Sequence, residues 1–211
     1  MAQRIAGLTG GQAVITTATD INHVPAVDVW AQDHNCAIEN RDAVKQVSAA
    51  ALQGQQVGVA VTEQLLDPPF PITLWLRPRV LVLGVGCKRG VSAEALLAAI
   101  EKFLAQCGVS PLALKALATI DLKSNEPGLI TCCQTLNVPL VTFTAAELAQ
   151  IEGEFSSSQW VFQVTGVDNV CERAAVRASG GQLICGKTVF PGVTLALAKG
   201  GIDHEPIDGR N

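Results

Sequence analysis

The sequence predicts an α/β protein: a predominantly parallel or mixed sheet flanked by helices, three layers deep (αβα) in its C-terminal part and preceded by a small α/β segment. Short apolar strands alternate with helical stretches along nearly the whole chain, the pattern of a sheet covered by helices. One run, Val80-Leu-Val-Leu-Gly-Val85, is apolar without a break, as a strand buried on both faces requires. Composition agrees. Of 211 residues, 48% are hydrophobic, only 4% are aromatic and 16% are charged, so small and β-branched side chains dominate and a disordered chain is excluded.

The elements follow in order. Met1–Leu8 reads as the last turns of a helix stopped by Gly10-Gly11. Ala13–Thr16 reads as a short buried strand, and Thr17–Asp20 as polar turn chemistry after it. Pro25 opens a helical stretch to about His34. Asp42 caps a second helix, with Val44, Val47 and Ala51 on one face and Gly54 at its end. Gln56–Thr62 and Ile72–Leu76 read as strands around the loop Asp67-Pro-Pro-Phe-Pro71. Arg77-Pro78-Arg79 interrupts the apolar character and marks a boundary. The expected organisation is therefore a segment 1–76, a domain 77–200 and a flexible tail 201–211.

Beyond the boundary, the strand at 80–85 feeds directly into Gly86-Cys-Lys-Arg-Gly90. Ser92 begins a helix to about Gln106, whose Leu96, Ala99, Ile100 and Phe103 share one face. A shorter helix follows Pro111, then a strand at Ala116–Ile120 and the loop Asp121–Glu126. Pro127 starts a helix to Leu136. Leu140–Phe143 is a strand, and Thr144-x-x-Glu147 is a capping box opening the next helix. A last helix spans roughly Asn169–Ala178. Gln182–Cys185 and Val193–Ala198 are the final strands, parted by a Pro191-Gly192 turn.

Several classes fall away. The net charge of −4 speaks against nucleic acid as a partner, whose binding surfaces carry an excess of Lys and Arg. No run of about 18 apolar residues offers a membrane span, and the first residues lack the positive n-region, apolar core and cleavage pattern expected of a secretory signal. Seven cysteines at irregular spacing, with no C-x-x-C and no Cys/His cluster, indicate neither a disulfide framework nor a metal site. Reduced thiols in the cytoplasm are expected.

Three loops hold polar groups suited to chemistry. The first is Gly84-x-Gly86-x-x-x-Gly90, with Cys87, Lys88 and Arg89 inside it. Such a loop at a strand's carboxyl end is where α/β sheets bind ligands, and it is equally a tight strand-to-helix turn. Its spacing is one residue too long for a dinucleotide fingerprint and it lacks the ending of a P-loop. Lys88 and Arg89 stand where a bound anion would sit. The second is Asp121-Leu-Lys123-Ser-Asn-Glu126, expected on the same sheet edge. There a lysine and a carboxylate suit anchoring and acid–base work, or else Glu126 serves the following helix. The third is Thr16-Thr17-Ala-Thr-Asp20, an array of hydroxyls closed by a carboxylate, which also fits a turn and helix cap. No Ser-His-Asp or Cys-His order is identifiable, and Cys87 at a helix N-terminus reads as a small thiol in a turn.

These residues resemble a known family. Ala13–Asp20 with Pro25-Ala-Val-Asp28 resembles the middle region of the CbiG proteins. Gly84–Gly90, Pro111–Lys123, Glu126-Pro-Gly-Leu-Ile130, Phe143–Leu148, Gly166-Val167, Ala174-Ala175 and Val193–Ala198 are similar to that family's C-terminal domain, in the same order. The resemblance implies cobalt-precorrin-5A hydrolase activity in cobalamin biosynthesis: opening of a δ-lactone on a cobalt-bearing macrocycle, with loss of acetaldehyde. It implies Glu126 or Asp20 as proton acceptor and the glycine loop as oxyanion donor. It implies substrate binding by Gly84, Gly86, Cys87, Lys88, Arg89, Gly90, Lys115, Asp121, Lys123, Thr16 and Thr17, with the four cations and the glycine-loop amides suited to the macrocycle's many carboxylates. Cobalt comes with the substrate, so no cofactor of the protein's own is expected. Family members carry an N-terminal domain ending in a Gly-Gly-Ala-Asn type motif, and this sequence opens beyond it. A separate N-terminal domain or a second copy of the chain is accordingly an expected partner. A corrinoid-binding module without turnover is the alternative, and a nucleotide-dependent oxidoreductase rests on the glycine loop alone.

Overall fold

The computed structural model describes residues 31–40, 57–156, 163, 165–166 and 168–201. The expected strand at Ala13–Thr16, the helix capped by Asp42, most of the helix opened by Pro25 and the tail beyond 201 lie outside them. Two compact units divide between Arg79 and Val80. The division falls past the expected 76/77 boundary because Arg77 and Pro78 still belong to a strand, paired with Ala37 and Cys36.

The first unit contains β1 (Cys36–Ile38), β2 (Val57–Val61) and β3 (Ile72–Pro78) in the order β1-β3-β2. β2 runs parallel to β3 and β1 antiparallel to it. Leu74 and Leu76 of the central strand are buried with Ala31, and Ile38, Val59 and Val61 pack against them. Arg77, which marks the domain boundary in the sequence reading, is 2% exposed. Its Nε meets the Glu39 carboxylate at 2.5 Å, and one terminal nitrogen donates to the Thr62 and Gln64 carbonyls. Its guanidinium also lies over the Trp75 ring. A buried arginine persists only when its donors are met in this way.

The second unit is a mixed five-stranded sheet. Its strands are β4 (Leu81–Cys87), β5 (Leu114–Ile120), β6 (Leu140–Phe143), β7 (Gln182–Phe190) and β8 (Val193–Lys199), ordered β6-β5-β4-β8-β7. β4, β5 and β6 are parallel; β8 and β7 form an antiparallel hairpin added beside β4. Its helices among the described residues include α1 (Ala93–Gln106), α2 (Pro127–Leu136), α3 (Ala145–Ala149) and α4 (Cys171–Ser179). Leu81, Val82, Leu83 and Val85 are all fully buried, so both faces of β4 are covered and the continuous apolar run is explained.

Local signals account for the helices. The Ser92 hydroxyl accepts the Ala95 N–H to start α1, which buries Leu96, Ala99, Ile100, Phe103 and Leu104. Pro127 opens α2, and Asn137, at φ 52°, closes it. The Thr144–Glu147 capping box is present at α3. After Pro111 there is only one 3-10 turn, Pro111–Ala113, because the chain extends at once into β5. β7 outruns the expected Gln182–Cys185, since two register slips against β8 break the alternation that would reveal it. Among the described residues, no helix is long and apolar enough to cross a membrane.

Gly84 shows what the middle of the sheet demands. A Cβ there would stand 1.8 Å from the Cys171 carbonyl oxygen, because the first turn of α4 lies directly on β4. Gly84→Ala should lower unfolding free energy by about 3 kcal/mol through overpacking. Gly201→Ala, with nothing within 4 Å of its Cβ position, should be near neutral. Urea unfolding of the two variants checks the difference.

Candidate functional site

The parallel strands β4 and β5 end side by side, and each delivers a loop to the same edge. The β4 loop carries Lys88, Arg89 and Gly90; the β5 loop runs from Asp121 to Glu126. Because β8 is antiparallel to β4, with Val193 opposite Cys87, the Pro191-Gly192 turn reaches this edge too. The Lys88 N–H donates to the Gly192 carbonyl at 2.9 Å.

One carboxylate joins the two loops. Glu126 is 8% exposed. Its Oε1 accepts the Gly90 N–H at 2.5 Å, and its Oε2 accepts from Lys123 Nζ at 3.2 Å. Gly90 has φ +75°, a conformation that glycine adopts without penalty. The turns bearing Lys88 and Lys123 therefore converge on a single rim. The Gly90 N–H foremost, then the hydrogen bond and charge of Lys123 and the charge of Arg89, hold the Glu126 carboxyl below the usual carboxylate range against the opposing effect of burial.

This geometry bears on two expected roles. Glu126 stands as proton acceptor in the sequence reading and the glycine loop as oxyanion donor, yet the Gly90 N–H donates to Glu126 itself. A carboxylate so stabilised in its charged form is a weak base. Its side chain also makes no bond to the N-terminus of α2. It clips two loops together.

The remaining candidates separate cleanly. Gly84 answers to α4, and Gly86 answers to Thr194, whose Oγ1 would lie 2.4 Å from an added Cβ; both glycines serve packing. Cys87 is half-buried, and burial pushes its thiol up, partly offset by the Lys123 charge, so it is not an activated thiol. Lys88 and Arg89 are exposed on the rim, and the Lys123 side chain retains 18% exposure beside Glu126. Asp121 accepts the Leu122 N–H at 2.7 Å and so braces its own turn. Lys115 does not join them. It follows Leu114, which pairs with Leu81 at the start of β4, and five residues of strand at about 3.3 Å each separate it from the rim. Thr16, Thr17 and Asp20 lie outside the described residues.

Two hydroxyls that the sequence reading passes over support the end of β4. Thr119 donates to the Val85 carbonyl at 2.7 Å, and Thr194 donates to the Gly86 carbonyl at 3.3 Å. A threonine inside an apolar strand is the available signal, since its hydroxyl needs a partner when buried. An open groove of about 400 Å³ lies at the opposite end of the sheet, where α2 ends and β6 begins, lined by Ile130, Cys133, Asn137 and Leu140 among others. Among the described residues, no group of three or more His, Cys, Asp or Glu could hold a metal ion.

Residues 81–198, which contain the rim, match the family described as cobalamin synthesis G C-terminus. The chain belongs to the CbiG family. Residues 25–71 match the cobalamin biosynthesis central region. A cobalt-precorrin-5A hydrolase of Salmonella typhimurium is 33% identical over an alignment covering 95% of this chain and 66% of that protein. Protein CobE of a Sinorhizobium species is 38% identical, covering 56% of this chain and 79% of that protein. A crystal structure of CobE, a protein from the cobalamin (vitamin B12) biosynthetic pathway, matches 57% of this chain and 89% of its own with a TM-score of 0.53 and 37% identity. The second unit is thus a CbiG C-terminal domain. The chain spans 66% of the length of the Salmonella typhimurium hydrolase and 59% of that of Priestia megaterium.

The clip has a pH signature. Because the folded-state pKa of Glu126 is lowered, its contribution is present above the unfolded value of about 4.3 and disappears as pH falls through the folded value. Glu126→Gln should cost about 1–3 kcal/mol at pH 7, as expected for hydrogen bonds to a charged group. The gap between variant and wild type should narrow below pH 4, measured by urea unfolding from pH 7 to pH 3.

Proposed function

We propose that this chain takes part in the hydrolytic opening of the δ-lactone of cobalt-precorrin-5A. In this reading, the rim of the second unit grips the macrocycle's carboxylate arms. The single observation that carries the reading is the convergence of Lys88, Arg89 and Lys123 on one sheet edge within a CbiG-family domain. Hydrolase relatives bearing that name support it across both units.

The chemistry divides into holding and reacting. Acetate and propionate arms are met by Lys88 and Arg89, which point to solvent, and by Lys123 from its pairing with Glu126. Charge-assisted hydrogen bonds to carboxylates suit this task. Water adds to the lactone carbonyl, the ring C–O bond breaks, and the freed hydroxyl then drives carbon–carbon cleavage that liberates acetaldehyde. Both steps need a proton acceptor. With Glu126 engaged in the clip, Asp20 is the other of the two carboxylates that the family resemblance implies for that role. Cobalt arrives with the substrate and leaves with the product.

The engagement of Glu126 also gives weight to a second reading, in which the chain binds and presents a corrinoid intermediate without turnover. An acetaldehyde assay with cobalt-precorrin-5A separates the two, run with the chain alone and with an added N-terminal domain of a CbiG protein. Release of acetaldehyde is expected. Its absence from both reactions, with macrocycle binding intact, overturns hydrolysis in favour of the carrier. In either case Lys88→Ala and Lys123→Ala should each weaken macrocycle binding about 2- to 5-fold, the range of exposed charge pairs. Lys115→Ala should leave it unchanged.

A further inference from the structure

Away from the rim cations, the second unit buries a carboxylate that the proposed reaction does not use. Glu172, the second residue of α4, is 4% exposed. Its Oε2 accepts the Ser156 N–H at 2.8 Å, the Ser156 hydroxyl at 3.0 Å and the Asn169 side-chain amide. Its Oε1 accepts the Lys187 backbone N–H at 2.7 Å. Asn169 is fixed in turn: its Oδ1 accepts the Glu172 N–H at 2.9 Å, and its amide donates to the Ser156 carbonyl at 2.7 Å. Four donors on one buried carboxylate form a satisfied and therefore rigid network.

The Lys187 contact is the informative one. Lys187 lies in β7, where the register against β8 slips between Cys185 and Thr188. Its N–H donates to Glu172, and a Cβ at Gly186 would stand 3.4 Å from the same carboxylate oxygen. Glu172 thus anchors a β-bulge. Beyond the bulge the ladder is regular, with Thr188 opposite Leu195, Val189 opposite Thr194 and Phe190 opposite Val193. A slip of one residue there would turn each of these side chains to the other face and force the turn that follows to change. That turn contains Gly192, at φ +75°, whose carbonyl holds the Lys88 N–H and whose Cβ position lies 3.7 Å from the Lys88 side chain.

We propose that Glu172 is a positioning residue for the cationic rim: by holding the Lys187 N–H it locks the bulge that keeps the Gly192 carbonyl seated on the backbone of Lys88. The consequence for ligand rests on the reading of the rim as a carboxylate clamp; the structural coupling does not.

Amide hydrogen exchange, read by NMR on the whole chain, tests the coupling without any ligand. Glu172→Asp keeps the charge and the contacts nearest its own backbone but is one methylene too short to reach Lys187. It should speed exchange at both the Lys187 and Lys88 amides about tenfold, the effect of losing about 1.4 kcal/mol of protection, while the Leu83 amide inside β4 keeps its rate. Glu172→Gln should do the same or more, and Glu172→Asp carries the test if Glu172→Gln does not fold. Lys187→Ala should change neither amide, because the backbone N–H remains. Faster exchange at Lys187 with an unchanged rate at Lys88 overturns the proposal, as does uniform acceleration throughout the sheet. A second arm measures binding of a porphyrin with acetate and propionate arms. Glu172→Asp should weaken it as far as Lys88→Ala does, and the double variant no further; additive losses overturn the coupling. If wild type does not bind the porphyrin, the clamp reading fails while the exchange result still decides the role of Glu172.

Discussion

The rim depends on a single bridging carboxylate. Glu126 holds a backbone N–H from one loop and an ammonium from the other, and it does so from a largely buried position. An unpartnered carboxylate there would carry a desolvation cost of several kcal/mol, so the two loops and the charge are mutually dependent. The arrangement also sets the electrostatics. Lys123 is partly neutralised where it stands, and the outward positive potential comes mainly from Lys88 and Arg89. A carboxylate brought to Lys123 would share that cation with Glu126, whereas one brought to Lys88 or Arg89 would meet an exposed charge.

The same bridge disposes of the nucleotide reading on physical grounds. A phosphate loop needs free N–H groups at its glycines and at the helix start. Here the Gly90 N–H faces the protein's own carboxylate, and the Lys88 N–H is bonded to the Gly192 carbonyl. Ser92 likewise satisfies the Ala95 N–H. A phosphate reaching for the Gly90 N–H would have to displace Glu126, and the two like charges would repel. Glycines at 84, 86 and 90 look like one motif in the sequence and are three separate solutions in the fold. One admits α4, one admits Thr194, and one supplies a left-handed turn.

The parallel half of the second unit was largely legible from sequence. Leu81–Val85 announces a doubly buried strand, Ser92 and Thr144 announce caps, and Pro127 fixes the first turn of α2; each is a local rule that tertiary packing did not override. The hairpin half was less so. The extra residues of β7 spoil its alternation, and the cause of one slip, a carboxylate sixteen positions from Ser156 and fifteen from Lys187, is invisible to any short window. The rim shows the same limit. That Lys88 and Lys123 share an edge follows from strand order, but that Glu126 would turn toward Gly90 rather than toward solvent depends on a φ angle and on burial. Lys115 is a related case: a lysine near the others in sequence belongs to the opposite end of its strand. Arg77 reads as an interruption of the apolar character because its partners, here Glu39 and two carbonyls, are distant in sequence.

The direction of β8 explains why a hairpin, rather than another crossover, completes the rim. Had the chain continued with a parallel strand beside β4, that strand would begin at the far edge, and only its end would approach Lys88. An antiparallel β8 instead begins at the rim, with Val193 opposite Cys87, so the turn before it lies against the β4 loop. Backbone then supports Lys88 from the hairpin side, while Glu126 supports Gly90 from the β5 side. Lys88 and Arg89 are held between two braces that come from opposite edges of β4, and each brace is anchored by a buried carboxylate, Glu126 in one case and Glu172 in the other. A cationic loop made of a flexible lysine and arginine gains orientation only from such flanking constraints. Removing either brace should leave the charges in place and take away the geometry that lets them act together.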